Sequence, residues 1–416
     1  MTTTATSPTL SREQRADSRN ALIASFLGWT LDSFDYFVLA FVLAQIGAEF
    51  QRSIVEMSWA ITGGLLARPV GALIFGLMAD RYGRRLPLMI DVLFFSVFEV
   101  LCGLAPGYRS FLILRLLFGV GMGGEWGVGA SLAMESVPVK WRGMLSGLLQ
   151  EGYALGYLLA AIAFWTVFPR WGWRPMFFLG ALPALLVLFI RAKVKESEAW
   201  KAEAAAKLSW RKYWRAVGAN WKRFTYLTLL IAVLACMSHG TQDFYPTFLQ
   251  LQHHFSPQAT ALVTAISMLG AIIGGIVIGL YSDHYGRRRA MITCTLLGIL
   301  VIPLWMYGSP TVALAALGAF VMQFTVQGAW AVVPAHINEL SPGPLRGFFP
   351  GLAYQLGVVI AAGSATIEAA FGRHFSYAQA MGGFAAMAFV LAAIVIAAGP
   401  EAHRIHFGGG DVILRV

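Results

Sequence analysis

Apolar blocks of about twenty residues recur along the whole chain, each long enough to cross a bilayer core of roughly 30 Å. A soluble domain could bury a large core without uninterrupted runs of that length. Composition points the same way: 57% of the 416 residues are hydrophobic and only 12% are charged, where soluble proteins carry about 25%. The expected fold is an all-α polytopic membrane protein of twelve transmembrane helices. Six helices are placed at 20–47, 56–80, 85–105, 109–136, 142–168 and 174–191. Six more are placed at 223–251, 258–281, 289–307, 311–338, 346–370 and 377–399. The units are then a tail (1–19), a first bundle (20–191), a linker (192–222), a second bundle (223–399) and a second tail (400–416).

The net charge of +10 invites a nucleic-acid reading, but the basic residues form no face or stacking platform. They sit instead on alternate loops. Roughly 24 of the 31 Lys and Arg fall on the side of the tails, the linker and the loops near 80–85 and 286–289, as the positive-inside rule requires of cytoplasmic segments. Arg52, Arg109, Arg170, Arg174 and Arg373 mark the other side. Both termini are therefore expected in the cytoplasm, with the chain a multi-pass protein of the cell inner membrane and a monomer. The first apolar block is longer than a signal-peptide core and is read as a retained helix. The linker, rich in Lys, Glu and Trp, reads as an amphipathic helix lying on the membrane surface. Cys102, Cys236 and Cys294 lie inside apolar blocks and read as small buried hydrophobes. No HExxH, GxSxG or Cys/His cluster suggests an enzyme, and no cofactor is expected beyond the proton as a coupling ion.

The two halves repeat one another. GLMADRYGRR (76–85) matches GLYSDHYGRR (279–288) at an offset of 203. Gly124, Trp126, Glu135, Arg142, Gly143 and Gly147 match Gly328, Trp330, Glu339, Arg346, Gly347 and Gly351 at an offset of 204. Two separated blocks at nearly one offset indicate duplication. The decapeptides resemble the signature of the major facilitator superfamily, through Gly76, Asp80, Arg81, Gly83, Arg84 and Arg85 and through Gly279, Asp283, Gly286, Arg287 and Arg288. That resemblance implies two pseudo-symmetric six-helix bundles with a substrate site at the midplane between them. Gly76 would let two helices approach closely. Asp80 with Arg84, and Asp283 with Arg287, would lock the cytoplasmic side shut.

Residues 235–247 read ACMSHGTQDFYPT. Ser238, His239, Thr241, Gln242, Asp243 and Thr247 resemble the seventh-helix signature of the sialate:proton symporter family, which includes sialate permeases and fungal lactate permeases. Ala235 stands where that signature has Asn. Some sialate permeases have two further helices that this chain has no room for, so the resemblance implies a small monocarboxylate, of the lactate or pyruvate type, as substrate.

A charge at the bilayer centre costs roughly 2.5–3.5 kcal/mol on insertion scales, so each intramembrane ionisable residue is a functional candidate. Ser238, His239, Gln242 and Asp243 share one side of their helix. His239 and Asp243 lie one turn apart, and either can carry a proton near neutral pH. Gly240 and Pro246 weaken the same helix. Arg68, in LLARPVGA, suits a carboxylate substrate because guanidinium binds it through two parallel hydrogen bonds. The alternative is an ion pair with Asp32 or Asp35. Those two acids lie three residues apart on one face, and close carboxylates do not both ionise cheaply, so at least one is a proton carrier or a partner of Arg68. Glu125 and Glu151 are further candidates for proton coupling, with Arg115–Glu125 and Arg115–Glu151 as possible pairs. Gln323, Gln327 and Trp330 face one way on the tenth helix, and Tyr354 and Gln355 are the polar candidates on the eleventh. Each could orient a small acid or simply join two helices. An exporter of the same fold is disfavoured because the fifth helix has glycines at 147, 152 and 156 but no proline before Pro169.

Overall fold

In the computed structural model, residues 11–204, 209–308, 311–371 and 374–408 are described, all in helices and short connections. The first ten residues and the last eight of the expected tails lie outside these, as does Arg373. Eleven helices are long and apolar enough to cross a membrane, and the shorter apolar helix Phe349–Ala361 completes twelve crossings. Serines set several starts. The side chains of Ser53, Ser256 and Ser376 each cap the third backbone N–H beyond them, satisfying a donor that has no partner within its own helix.

The crossings of the first half are Arg12–Glu49, Ile54–Tyr82, Arg85–Gly103, Tyr108–Ser136, a broken fifth, and Arg174–Lys193. The second half has a broken seventh, Pro257–Tyr285, Arg287–Tyr307, a broken tenth, a broken eleventh, and Tyr377–Ala398. The breaks fall where sequence periodicity showed continuous helices. The fifth divides into Arg142–Gln150 and Gly152–Thr166, and the seventh into Trp221–Gln242 and Tyr245–Leu251. The tenth divides before Pro334, and the eleventh at Ala362–Gly363. A proline near the start of the second piece in the seventh and tenth crossings removes a ladder donor. Broken helices at membrane depth occur where they line a cavity or are buried in protein.

Both described chain ends and the linker lie on one face, here called the tail face, and on it the halves are joined. Asp80 accepts hydrogen bonds from the backbone amides of Gly347 (2.6 Å) and Phe348 (3.2 Å) across the interface. Asp283 mirrors it, accepting from the amides of Gly143 (2.7 Å) and Met144 (2.9 Å). Each acid also pairs with the arginine one turn on, Arg84 at 2.9 Å and Arg287 at 2.8 Å. Around them, Glu135 binds Arg84 and, across the interface, Arg346. Glu339 binds Arg287 and, again across the interface, Arg142. The duplicated residues thus form two matched sets of contacts that join the halves, here called latches, and the expected pairs Asp80–Arg84 and Asp283–Arg287 are the inner part of each.

Gly76 explains why glycine is needed beside the latch. A Cβ there would stand 2.9 Å from Phe348 Cα and 3.0 Å from the Gly347 carbonyl. Overpacking of this kind costs about 1–3 kcal/mol. Gly76→Val is expected to hold the halves apart on the tail face and to lower the population of the joined arrangement about tenfold, the change such an energy produces. A wild-type distance distribution between spin labels on the two halves would remove the close approach from the account.

The linker is helical, as its sequence suggested. It forms two short helices, Glu198–Ala204 and Trp210–Ala219, that pack on the latch. The Tyr213 hydroxyl donates to Asp80 Oδ2 (2.9 Å), Trp200 Nε1 donates to the Asp80 carbonyl (3.0 Å), and Glu203 pairs with Arg346 at 3.4 Å. Tyr213 is buried against this surface, whereas Trp210 and Trp214 stay about half exposed.

Candidate functional site

Between the halves lies a chamber of about 250 Å³, placed at mid-membrane depth by the first, second, fourth, fifth, seventh, tenth and eleventh crossings. Asp32, Arg68, Ser238, His239, Gln242, Asp243, Gln327 and Tyr354 all line it. These are the sequence candidates that the fold brings together. Trp29, Tyr36, Tyr153 and Trp330 supply aromatic walls, and Gln150 supplies an amide. Ala235 is on the wall as well, so the position where the resembled signature has Asn faces the cavity. Polar bonds between the halves gather on the tail side of the chamber, and Trp126 stacks on Tyr354 at 3.8 Å to floor it. The His239 and Asp243 side chains, 41% exposed, lie toward the opposite, open face.

Arg68 sits in the second crossing just before Pro69, whose missing N–H leaves the Leu65 carbonyl without its helical donor. The guanidinium is buried at 8% exposure. Its neighbours are Met122 Sδ at 3.2 Å and the Tyr36 ring at 5.4 Å. Among the described residues no carboxylate lies in ion-pair contact with it. The expected alternative, a direct pair with Asp32 or Asp35, is therefore corrected. A chamber-facing guanidinium with that donor geometry can take an incoming carboxylate through two bonds.

Asp32 and Asp35 share a helical face, yet only Asp32 reaches the chamber. Asp35 is fully buried behind it with neither carboxylate oxygen bonded, near Gly180 and Glu99. His239 Nδ1 lies 3.1 Å from Asp243 Oδ2, the one-turn pair the spacing implied. Gln242 donates to Gln323 Oε1 at 2.7 Å, which ties the seventh crossing to the tenth.

Three further expectations change. Arg115 pairs with neither Glu125 nor Glu151 but with Glu99, at 2.5 Å. Glu99 and Asp91, both in IDVLFFSVFEV, were passed over although the rule on mid-membrane charge applies to them equally. Glu151 stands at the break of the fifth crossing against Gly275 of the eighth, and Glu125 is sealed against Gly28 of the first; neither lines the chamber. Gln355 is buried too, donating from Nε2 to the Gly123 carbonyl at 3.4 Å, because its register turns it into the interface below Tyr354. Glu368, buried beside Gly240 with both oxygens unbonded, is another acid missed in the sequence.

Two repeated bundles, latched on one face around a polar mid-membrane chamber, define a membrane transporter rather than an enzyme. The family model described as Major Facilitator Superfamily matches residues 25–256 and again 228–408, and the chain belongs to that superfamily. It is 30% identical to a carboxylic acid transporter protein homolog of Saccharomyces cerevisiae over 84% of this chain and 60% of that one, so it spans three-fifths of the yeast protein. It is 30% identical to a protein of Cupriavidus pinatubonensis named for 4-methylmuconolactone transport, over 92% of this chain and 90% of that one. It is 29% identical to the Escherichia coli sialic acid transporter NanX, over 82% and 84%. Among solved structures, the proton:xylose symporter XylE superposes with a TM-score of 0.74 at 18% identity, over 95% of this chain and 98% of that one, a likeness of fold.

Proposed function

We propose that the chain is a proton-coupled symporter that imports a small monocarboxylate, of the lactate or pyruvate type, by alternating access across the inner membrane. The tail face is the cytoplasmic face in this reading, as its excess of Lys and Arg supports. The observation that carries the proposal is Arg68, a buried cation on the chamber wall with no carboxylate in contact among the described residues. The substrate supplies that carboxylate. Asp32 and the His239–Asp243 pair, on opposite walls, take the proton. With both aboard the tail-face latches release and the halves rock; a ligand drives that swing only through its differing affinity for the two states.

A second reading, transport of an aromatic or sialic acid with protons, is favoured by the ring-lined walls at Trp29, Tyr36, Tyr153 and Trp330. Counterflow in liposomes with labelled lactate, pyruvate, acetate, nicotinate and N-acetylneuraminate separates the two. The small acids are expected to exchange fastest. Exchange of the ring-bearing acids alone would establish the second reading, and no exchange of any acid would overturn both.

The His239–Asp243 pair has its own test. Asp243→Asn keeps the shape and removes the titrating group. It is expected to retain counterflow within about twofold while losing uphill accumulation driven by a pH gradient, a split that marks a coupling group. Wild-type accumulation by this variant would exclude Asp243 as a carrier.

A further inference from the structure

Behind Asp32, in the direction of the tail face, two carboxyls are sealed inside the first half. Asp91 of the third crossing and Glu125 of the fourth are both 0% exposed. All four of their oxygens lack a hydrogen-bond partner. Gly121 of the fourth crossing packs on Phe95 of the third; Glu125 and Asp91 stand one turn nearer the tail face on those two helices, and Glu125 reaches Gly28, one turn from Asp32. The nearby arginines are used elsewhere: Arg115 is bound to Glu99, and Arg68 faces the chamber.

Position fixes the order of the three acids. Glu125 Oε1 fills the space beside Gly28, which is four residues, or one turn of about 5.4 Å, nearer the tail face than Asp32. Asp91 lies six residues into a helix that starts at the tail face with Arg85, about 9 Å along its axis. Ala24, Val92, Phe95 and Val128 are among the apolar residues packed in this region. Taking a polar group out of water into such a place, with neither donor nor cation to meet it, carries a large cost.

We propose that Asp91 and Glu125 form an occluded proton-binding site that exchanges the coupling proton with the chamber through Asp32. Both carboxyls carry a proton when the site is full, and Glu125 gives up and regains its own. In the exchange step the Glu125 O–H bond breaks and an Asp32 O–H bond forms, so the charge moves from the Asp32 carboxylate to Glu125. When substrate approaches Arg68, that step neutralises Asp32 and leaves the guanidinium to the incoming anion. The reverse step refills the pair from water by way of Asp32. No reactant other than the proton is needed.

The inference rests on proton-coupled carboxylate transport, and the test separates the two. Wild type, Glu125→Gln and Asp91→Asn are compared in liposomes, using whichever acid of the panel above gives the fastest wild-type counterflow. Both variants are expected to keep counterflow and to lose pH-driven accumulation about tenfold or more, the size of an ordinary coupling free energy. Wild-type accumulation by both variants would overturn the site. Wild type that exchanges the acid without responding to the gradient would overturn symport instead. For a variant that loses both activities, binding of the same acid to purified protein is measured between pH 5.5 and pH 8, roughly the span in which a proton carrier works. A flattened pH dependence relative to wild type supports the site, and an unchanged dependence overturns it.

Discussion

Arg68→Ala is expected to abolish saturable uptake of the proposed carboxylate substrate while the protein still reaches the membrane. The side chain touches Met122 and the Tyr36 ring rather than an acid, so its removal leaves no carboxylate newly stranded and the bundle keeps its packing. What disappears is, among the described residues, the only guanidinium or ammonium group on the chamber wall. A hydrogen bond to a charged group contributes about 1.5–3 kcal/mol. Two parallel bonds to one carboxylate therefore account for a loss of affinity of a hundredfold or more, since about 1.4 kcal/mol is a factor of ten. Arg68→Lys keeps the charge but not the fork and should fall between the two. The measurement is initial uptake rate against concentration, alongside protein abundance in the membrane. An unchanged half-saturation in Arg68→Ala would take this residue out of the site.

Asp80→Asn combined with Asp283→Asn is expected to shift the resting protein from closed to open on the tail face. Each carboxylate bridges the halves by accepting from two backbone amides of the opposite half, and those bonds exist only while the halves meet. An amide side chain cannot accept from both with full charge. It also weakens the hold on Arg84 and Arg287, each 0% exposed. Breaking one partner of a buried pair costs about 3–5 kcal/mol, although Glu135 and Glu339 still hold the two arginines and reduce that figure. A net shift of about 3 kcal/mol changes the ratio of the two states more than a hundredfold. Spin labels on Gln51→Cys and Gln258→Cys, exposed positions of the two halves on the open face, report it as a distance. The distance is expected to shorten in the double variant. A wild-type distance distribution would mean that the latches do not set the conformation.

The latch was legible before any coordinates because it is duplicated. Asp80 and Asp283 recur with their arginines in matched decapeptides, and the amides they grip follow at Gly347 and at Gly143, themselves a matched pair. Helical spacing likewise delivered the His239–Asp243 contact, since four residues make a turn. Spacing failed where the answer depends on how a neighbouring crossing is rotated. Asp35 looked equivalent to Asp32 but turns toward Glu99, and Arg115 found a partner on the third crossing, sixteen residues back. The break at Glu151 was hidden for a related reason. The apolar run through it satisfies a continuous helix, and only packing against the other half reveals the interruption, whereas in the seventh crossing Gly240 and Pro246 already marked the weak point. The linker's amphipathic helix was legible in the sequence, whereas its bonds to Asp80 and Arg346 depend on how the halves pack.

The central claim is that acid and proton meet in one chamber and cross together. A pH electrode in a weakly buffered suspension of liposomes carrying the protein tests it most directly. On addition of the transported acid, the outside medium should turn alkaline at a rate that saturates with concentration, and liposomes carrying Arg68→Ala should show only the slow, non-saturating drift of passive acid entry. Saturable uptake of the labelled acid with no pH change, or with acidification of the medium, would contradict the account.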